Sequence, residues 1–132
     1  MRDMGVPGAN GFTAGDACRG AAPVAHLPSY RRLKNTDEIK RALAEVGPVI
    51  AVIDIGPAFY NLAGDAIYQG EAGGAIGSHA VLLIGFDDVA DGGRWEAQNS
   101  FGTAWNGDGF VRIAYGAASI LADDRHSAFC IA

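Results

Sequence analysis

Cysteine is scarce. Cys18 and Cys130 are the only two in 132 residues, which excludes a disulfide scaffold, and their spacing fits no metal motif. Positive charge is also in short supply: 10 Lys+Arg against 15 Asp+Glu leave a net charge of −5 and a pI near 4.9. Binding a polyanion needs clustered cations, so nucleic acid is set aside as a partner. Long apolar runs are missing too. The longest, Val49 to Ile55 and Ala80 to Phe86, are strand-sized and well short of the ~18 residues of a membrane span, so no membrane role is expected. The opening Met1-Arg2-Asp3-Met4-Gly5 puts an acid where a signal peptide starts its apolar stretch. Nothing in it directs export, and the compartment stays open.

What is present is a globular composition, 49% hydrophobic and 19% charged, with 19 glycines that call for many turns and short strands. The length suits a single domain, 1–132, read as an irregular arm over 1–30 and a folded lobe over 31–132. Glycines and prolines from Gly5 to Pro28 break any period in the arm.

The first strong element is a helix. Asn35 or Thr36 can cap it, Glu38 completes a capping-box spacing after Asn35, and Ile39, Ala42, Leu43 and Val46 recur at i, i+3, i+4 and i+7. Lys40, Arg41 and Glu45 are left to face water, and Gly47-Pro48 stops the helix. Burying the three large side chains of the stripe is worth roughly 1.5–3 kcal/mol each, more than helix propensity supplies. Pro48 to Ile55 is β-branched and reads as a strand, with Asp54 turned to an open face. A short helical turn and a loop follow through Phe59 to Tyr68. Further strands are expected at His79 to Phe86, Arg94 to Gln98 and Gly109 to Tyr115, joined by Asp- and Gly-rich turns. One helix ahead of consecutive turn-linked strands predicts an α+β fold with a mostly antiparallel, twisted sheet of about five or six strands.

One arrangement carries chemistry. His79 opens an apolar strand and Asn99 ends the next, followed by Ser100-Phe101-Gly102-Thr103-Ala104-Trp105. Adjacent strands can set these two side by side, so that the Asn fixes the imidazole tautomer and leaves the other ring nitrogen for a reactive group. Phe101 and Trp105 are placed to roof that hydrogen bond. The stretches "EIKRALAEVGPVIAVI", "SHAVLLIGFDD" and "WEAQNSFGTAWNGDGFVRIAYG", in this order, resemble the right-hand, β-rich C-terminal lobe of the papain-like cysteine peptidases over roughly Leu33 to Ile113. The resemblance implies that His79 is the catalytic histidine, that Asn99 orients it, that Ser78 and Ala80 contact substrate, and that Phe101 shields in place of the family's usual Trp.

The nucleophile is the missing part. In such enzymes it sits in a C-G-[SA]-C-[WY] signature about 130–150 residues before the His and Asn, and no such signature occurs in these 132 residues. The resemblance therefore implies a Cys-bearing left-hand lobe outside them and a chain inactive by itself. Cys18 precedes His79 by roughly half the expected separation and has no long helix after it to lower a thiol pKa, so it is disfavoured as a substitute. Cys130 lies beyond His79 in an apolar ending and fits less well still. Whether the two are bonded is open.

The partners implied are the missing lobe, with a peptide substrate once it is supplied. A half-molecule with an exposed apolar face makes a second copy or another protein the alternative partner. No cofactor or metal is expected. His26 and His126 lack acids or thiols at ligand spacing, Asp87, Asp88 and Asp91 follow no EF-hand pattern and read as a solvated turn, and the glycines from Gly70 to Gly77 precede no helix that would bind phosphate.

Overall fold

A computed structural model of the chain describes residues 28–89 and 92–131, together with the backbone of two short paired strands, β1 (Val6–Pro7) and β2 (Pro23–Ala25). Cys18, His26 and Asp91, weighed above, lie outside the described residues.

Strand β3 (Tyr30–Leu33) leads into the helix α1 (Thr36–Glu45). Asn35 caps it: its side-chain oxygen accepts from the Glu38 amide at 2.9 Å, while the Glu38 carboxylate reaches back to the Lys34 amide at 2.9 Å. Ile39 and Ala42 are buried, but Val46 is not. As the C-cap residue, with φ −114° and ψ −55°, it has left the helical stripe. Lys40 does not simply face water. Its ammonium pairs with Asp88 at 2.5 Å and lies over the rings of Tyr115 and Phe86. Asp88 also accepts from the Tyr115 hydroxyl at 2.7 Å, so the supposedly solvated turn is tied to the fold at this residue.

The strands β4 (Val49–Ile55), β6 (Gly77–Asp87), β7 (Arg94–Gln98) and β8 (Phe110–Ala114) follow the expected order. Between β4 and β6 come a one-turn helix, α2 (Pro57–Tyr60), and β5 (Ile67–Tyr68); β9 (Ala128–Ile131) closes the chain. The seven-stranded sheet runs β3-β9-β4-β6-β7-β8-β5 and is antiparallel except for the β5–β8 pair. This is an α+β fold. It has more strands than the sequence indicates, because the short β3, β5 and β9 fill its flanks.

In β4 the residues Val49, Ala51, Ile53 and Ile55 are buried, and with Leu83, Ala97, Ile113 and Ile39 they form the core. The alternate residues, Ile50 and Val52, share the outer face with Ala80 and Leu82, to which the register pairs them. On that face Ile50 is 49% exposed.

Candidate active site

Antiparallel register does the first part of the assembly. Leu82 pairs with Gln98, so the residue after β7, Asn99, comes level with the His79 end of β6. His79 Nε2 lies 2.7 Å from Asn99 Oδ1. The same oxygen accepts the Ser100 backbone N–H at 2.9 Å. An amide N–H can donate only to an oxygen here, which fixes the orientation of the Asn99 carboxamide and requires the proton of the His79 bond to sit on Nε2. In the neutral ring Nδ1 then holds the lone pair. The pair is therefore set to take a proton at Nδ1 while Asn99 holds the ring from behind.

Aromatic side chains surround this bond. Phe101 packs against the His79 ring at 5.0 Å between centroids, and Phe59, fully buried, meets it edge-on at 5.8 Å. Trp105 backs Phe59 at 5.0 Å and Phe101 at 5.6 Å, and its indole N–H donates to the Tyr60 carbonyl at 3.2 Å. The roof thus has two layers, Phe101 above the imidazole and Trp105 behind. Asn99 is 8% exposed, and its Nδ2 has no hydrogen-bond partner among the described residues.

Phe59 owes its position to a residue that sequence reading missed. The Glu71 carboxylate accepts from the amides of Ala58 at 3.1 Å and Phe59 at 3.0 Å, and from the Tyr68 hydroxyl at 2.8 Å. Burial pushes the Glu71 carboxyl up, but these donors outweigh it and hold it below the ordinary glutamate range. The carboxylate occupies the space beside Gly56, where an added Cβ would sit 2.8 Å from Glu71 Cδ. Tyr68, desolvated and facing that carboxylate, is pushed well above the usual tyrosine range.

Ala80 and Ser78 fall in different settings. Ala80 lines a hollow of about 400 Å³ on the outer face with Ile50, Leu82, Gln98, Asn99 and Ser100. Ser78 is exposed and its hydroxyl lies 3.4 Å from Asp54 Oδ1. Asp54 itself is not simply open to water. It binds Ser119 at 2.7 Å and His126 at 2.8 Å, and His126 also binds Asp123 at 2.7 Å. His126, expected to have no acid at metal-ligand spacing, has two acid partners in the fold: Asp123, three positions before it, and Asp54, which the chain brings back from 72 positions away. Cys130 is a free thiol buried in the core on β9.

The profile of the family described as papain family cysteine protease matches residues 10–128. The chain belongs to the papain family. Among curated members, cathepsin O of Mus musculus is 30% identical over 93 residues, covering 70% of this chain and 29% of that protein. Fruit bromelain of Ananas comosus is 30% identical over 97 residues, covering 72% of this chain and 27% of that protein. The chain thus spans under a third of the length of these relatives. Two solved structures share the fold: the bromelain protease of Ananas comosus, with a TM-score of 0.60 and 21% identity over 85% of this chain and 53% of that one, and procathepsin B S9 of Trypanosoma congolense, at 0.66 and 24% over 77% and 34%.

Proposed function

We propose that these residues form the histidine- and asparagine-bearing lobe of a papain-family peptidase, in which His79 is the general base and acid and Asn99 its orienting partner. The observation that carries the reading is the shared acceptor, Asn99 Oδ1, bound by His79 Nε2 and by the Ser100 amide. In the reaction, Nδ1 of His79 takes the proton of a cysteine thiol supplied by a left-hand lobe. The thiolate attacks the peptide carbonyl, and the same proton passes to the leaving amine. Water then releases the acyl group from the sulfur, with His79 again taking and returning a proton. Ala80 contacts the peptide from the hollow, with Ser78 beside it. Without the thiol the lobe does not hydrolyse peptides.

A thiol-directed epoxide offered to this chain together with a Cys-bearing papain-family left lobe should label the cysteine of that lobe, and His79→Ala should abolish labelling. Absence of label in a complex confirmed to hold both lobes overturns the reading, as does peptidase activity of the lone chain that disappears in Cys18→Ala. The outer face with Ile50 exposed supports a second reading, a non-catalytic module that binds a partner protein or a second copy. In that case Ile50→Asp abolishes association while His79→Ala leaves it intact.

A further inference from the structure

The segment between β8 and β9 crosses the end of the sheet in a backbone conformation that side chains disfavour. Ala118, Ser119 and Leu121 all have positive φ, at 59°, 60° and 62°, and none is glycine. Residues so placed persist only where surrounding structure restrains them. The restraint is centred on His126, whose side chain is 4% exposed. Its Nδ1 lies 2.7 Å from Asp123 Oδ1 and its Nε2 2.8 Å from Asp54 Oδ1. Ionised carboxylates only accept hydrogen bonds, and a neutral imidazole has one N–H. Both contacts are satisfied together only when the ring carries both protons.

We propose that His126 is a proton-dependent pin that fastens the 117–127 crossover to β4, the strand paired with the His79-bearing β6. Asp54 is the anchor. It stands on β4 next to Ile53, the register partner of His79, and opposite Ser78, the residue before His79. Its backbone amide donates to Ala118 O at 2.9 Å, the Val52 amide donates to Ser127 O at 3.0 Å, and the Leu121 amide donates to His126 O at 2.9 Å. When the ring loses a proton, one nitrogen presents a lone pair to a carboxylate, and the exposed Asp123 is the one free to turn to water. The strained crossover then loses its fastening.

The groups around the ring are Asp54 on β4, Ser78 on β6, and Ser119, Asp123, Asp124 and Arg125 on the crossover. Arg32 on β3 pairs with Asp124, Arg125 pairs with Asp123, and the Tyr68 hydroxyl donates to the Asp54 carbonyl. The balance favours the charged ring. The hydrogen bond to Asp54 raises the His126 pKa, burial opposes, and Asp123 adds to the rise. Asp54 is held below the ordinary aspartate range, first by His126 and then by Ser119. Raised in the folded state, His126 contributes stability that is complete below its unfolded value of about 6.5 and is lost as pH rises through its folded value. The two aspartates, both lowered, contribute above their unfolded value of 3.8 and lose it as pH falls through their folded values. The pin is therefore firmest in mildly acidic solution.

Imidazole NMR and amide exchange on the whole chain test this without any requirement for activity. Both ring N–H groups of His126 should be present below a titration midpoint above about 6.5. Above that midpoint, protection of the Val52, Asp54 and Leu121 amides should fall by about tenfold beyond the ordinary base catalysis of exchange, while the Ala97 amide on β7 stays unchanged. Asp123→Asn should lower the midpoint and move the loss of protection with it, and His126→Gln should remove the pH step. Because Asp123 is exposed, its variant carries the test alone where His126→Gln does not fold. A neutral ring below pH 6.5, or protection whose onset stays put when the midpoint moves, overturns the proposal.

Discussion

Asn99 Oδ1 receives two N–H groups at once, His79 Nε2 at 2.7 Å and the Ser100 amide at 2.9 Å, and the second is what makes the first directional. Without the Ser100 bond the carboxamide is free to present its nitrogen to the ring, and the tautomer is no longer dictated. A turn residue adjacent to Asn99 therefore sets which nitrogen of a residue 20 positions away is available for proton transfer.

Asn99→Ala removes the one acceptor of two hydrogen bonds from a buried site and should destabilise the fold by about 1–3 kcal/mol, read by urea unfolding. Asn99→Asp keeps an acceptor for both N–H groups and should cost clearly less than Asn99→Ala in the same measurement, with the Nε2 proton of His79 still observed by NMR. Loss of that proton signal would show that the ring is not held by position 99 in solution.

Phe59 contacts His79, Phe101, Tyr68 and Trp105 at once. Truncation to alanine leaves a cavity inside this cluster, and a cost of about 3–5 kcal/mol is expected from chemical denaturation. Phe59→Leu keeps most of the volume and should cost clearly less. The His79 ring signals of Phe59→Leu should nonetheless shift, because the edge-on ring beside them is gone.

Glu71 links that cluster to pH. Its carboxyl is lowered on folding, so the stability it contributes is present above the ordinary value of 4.5 and is lost as pH falls through its folded value. Amide exchange at Ala58 and Phe59 should speed up in acid ahead of exchange at the β6–β7 amides. In Glu71→Gln the acidic step should vanish and the two amides should exchange faster at all pH values. An unchanged acidic step in this variant assigns the titration to another group.

The parts of the fold visible in sequence are those whose signal is local. The Asn35 to Pro48 pattern marks α1 at both ends, and the alternation in Val49 to Ile55 gives β4 with its faces sorted, because capping and burial repeat within one element. Strand β3 is invisible for the opposite reason. Tyr30-Arg31-Arg32-Leu33 has one buried residue, and it is a strand only because β9, almost a hundred residues later, pairs with it. Within the site, His79, Asn99 and Phe101 stand on or beside periodic strands in a recognisable order. Glu71 and His126 sit in loops without periodicity; each has one partner three positions before it, Tyr68 and Asp123, but the groups that tie them to the rest of the fold, the Ala58 and Phe59 amides and Asp54, are brought in by chain crossings that no spacing rule encodes. Asp54 turns away from the core, but to a face covered by the crossover and not to the open face expected, and nothing local in the sequence signals that cover.

Gly93 shows what the turn before β7 demands. Its φ is +97°, and an added Cβ would lie 2.3 Å from Tyr115 Cδ2. Two penalties therefore combine at one position: left-handed backbone, and a ring that must move. Moving the Tyr115 ring breaks its hydroxyl bond to Asp88 and draws it from under the Lys40 ammonium. Gly93→Ala should lower stability by about 1–3 kcal/mol in urea unfolding. Tyr115→Phe in the wild-type background should lose the Asp88 bond alone and cost less. The Tyr115 hydroxyl, desolvated and facing Asp88, is raised well above the usual tyrosine range, so its ultraviolet titration should return toward the normal midpoint in Gly93→Ala. A variant with wild-type stability and an unmoved tyrosine titration would mean that the turn has space the folded ring does not show.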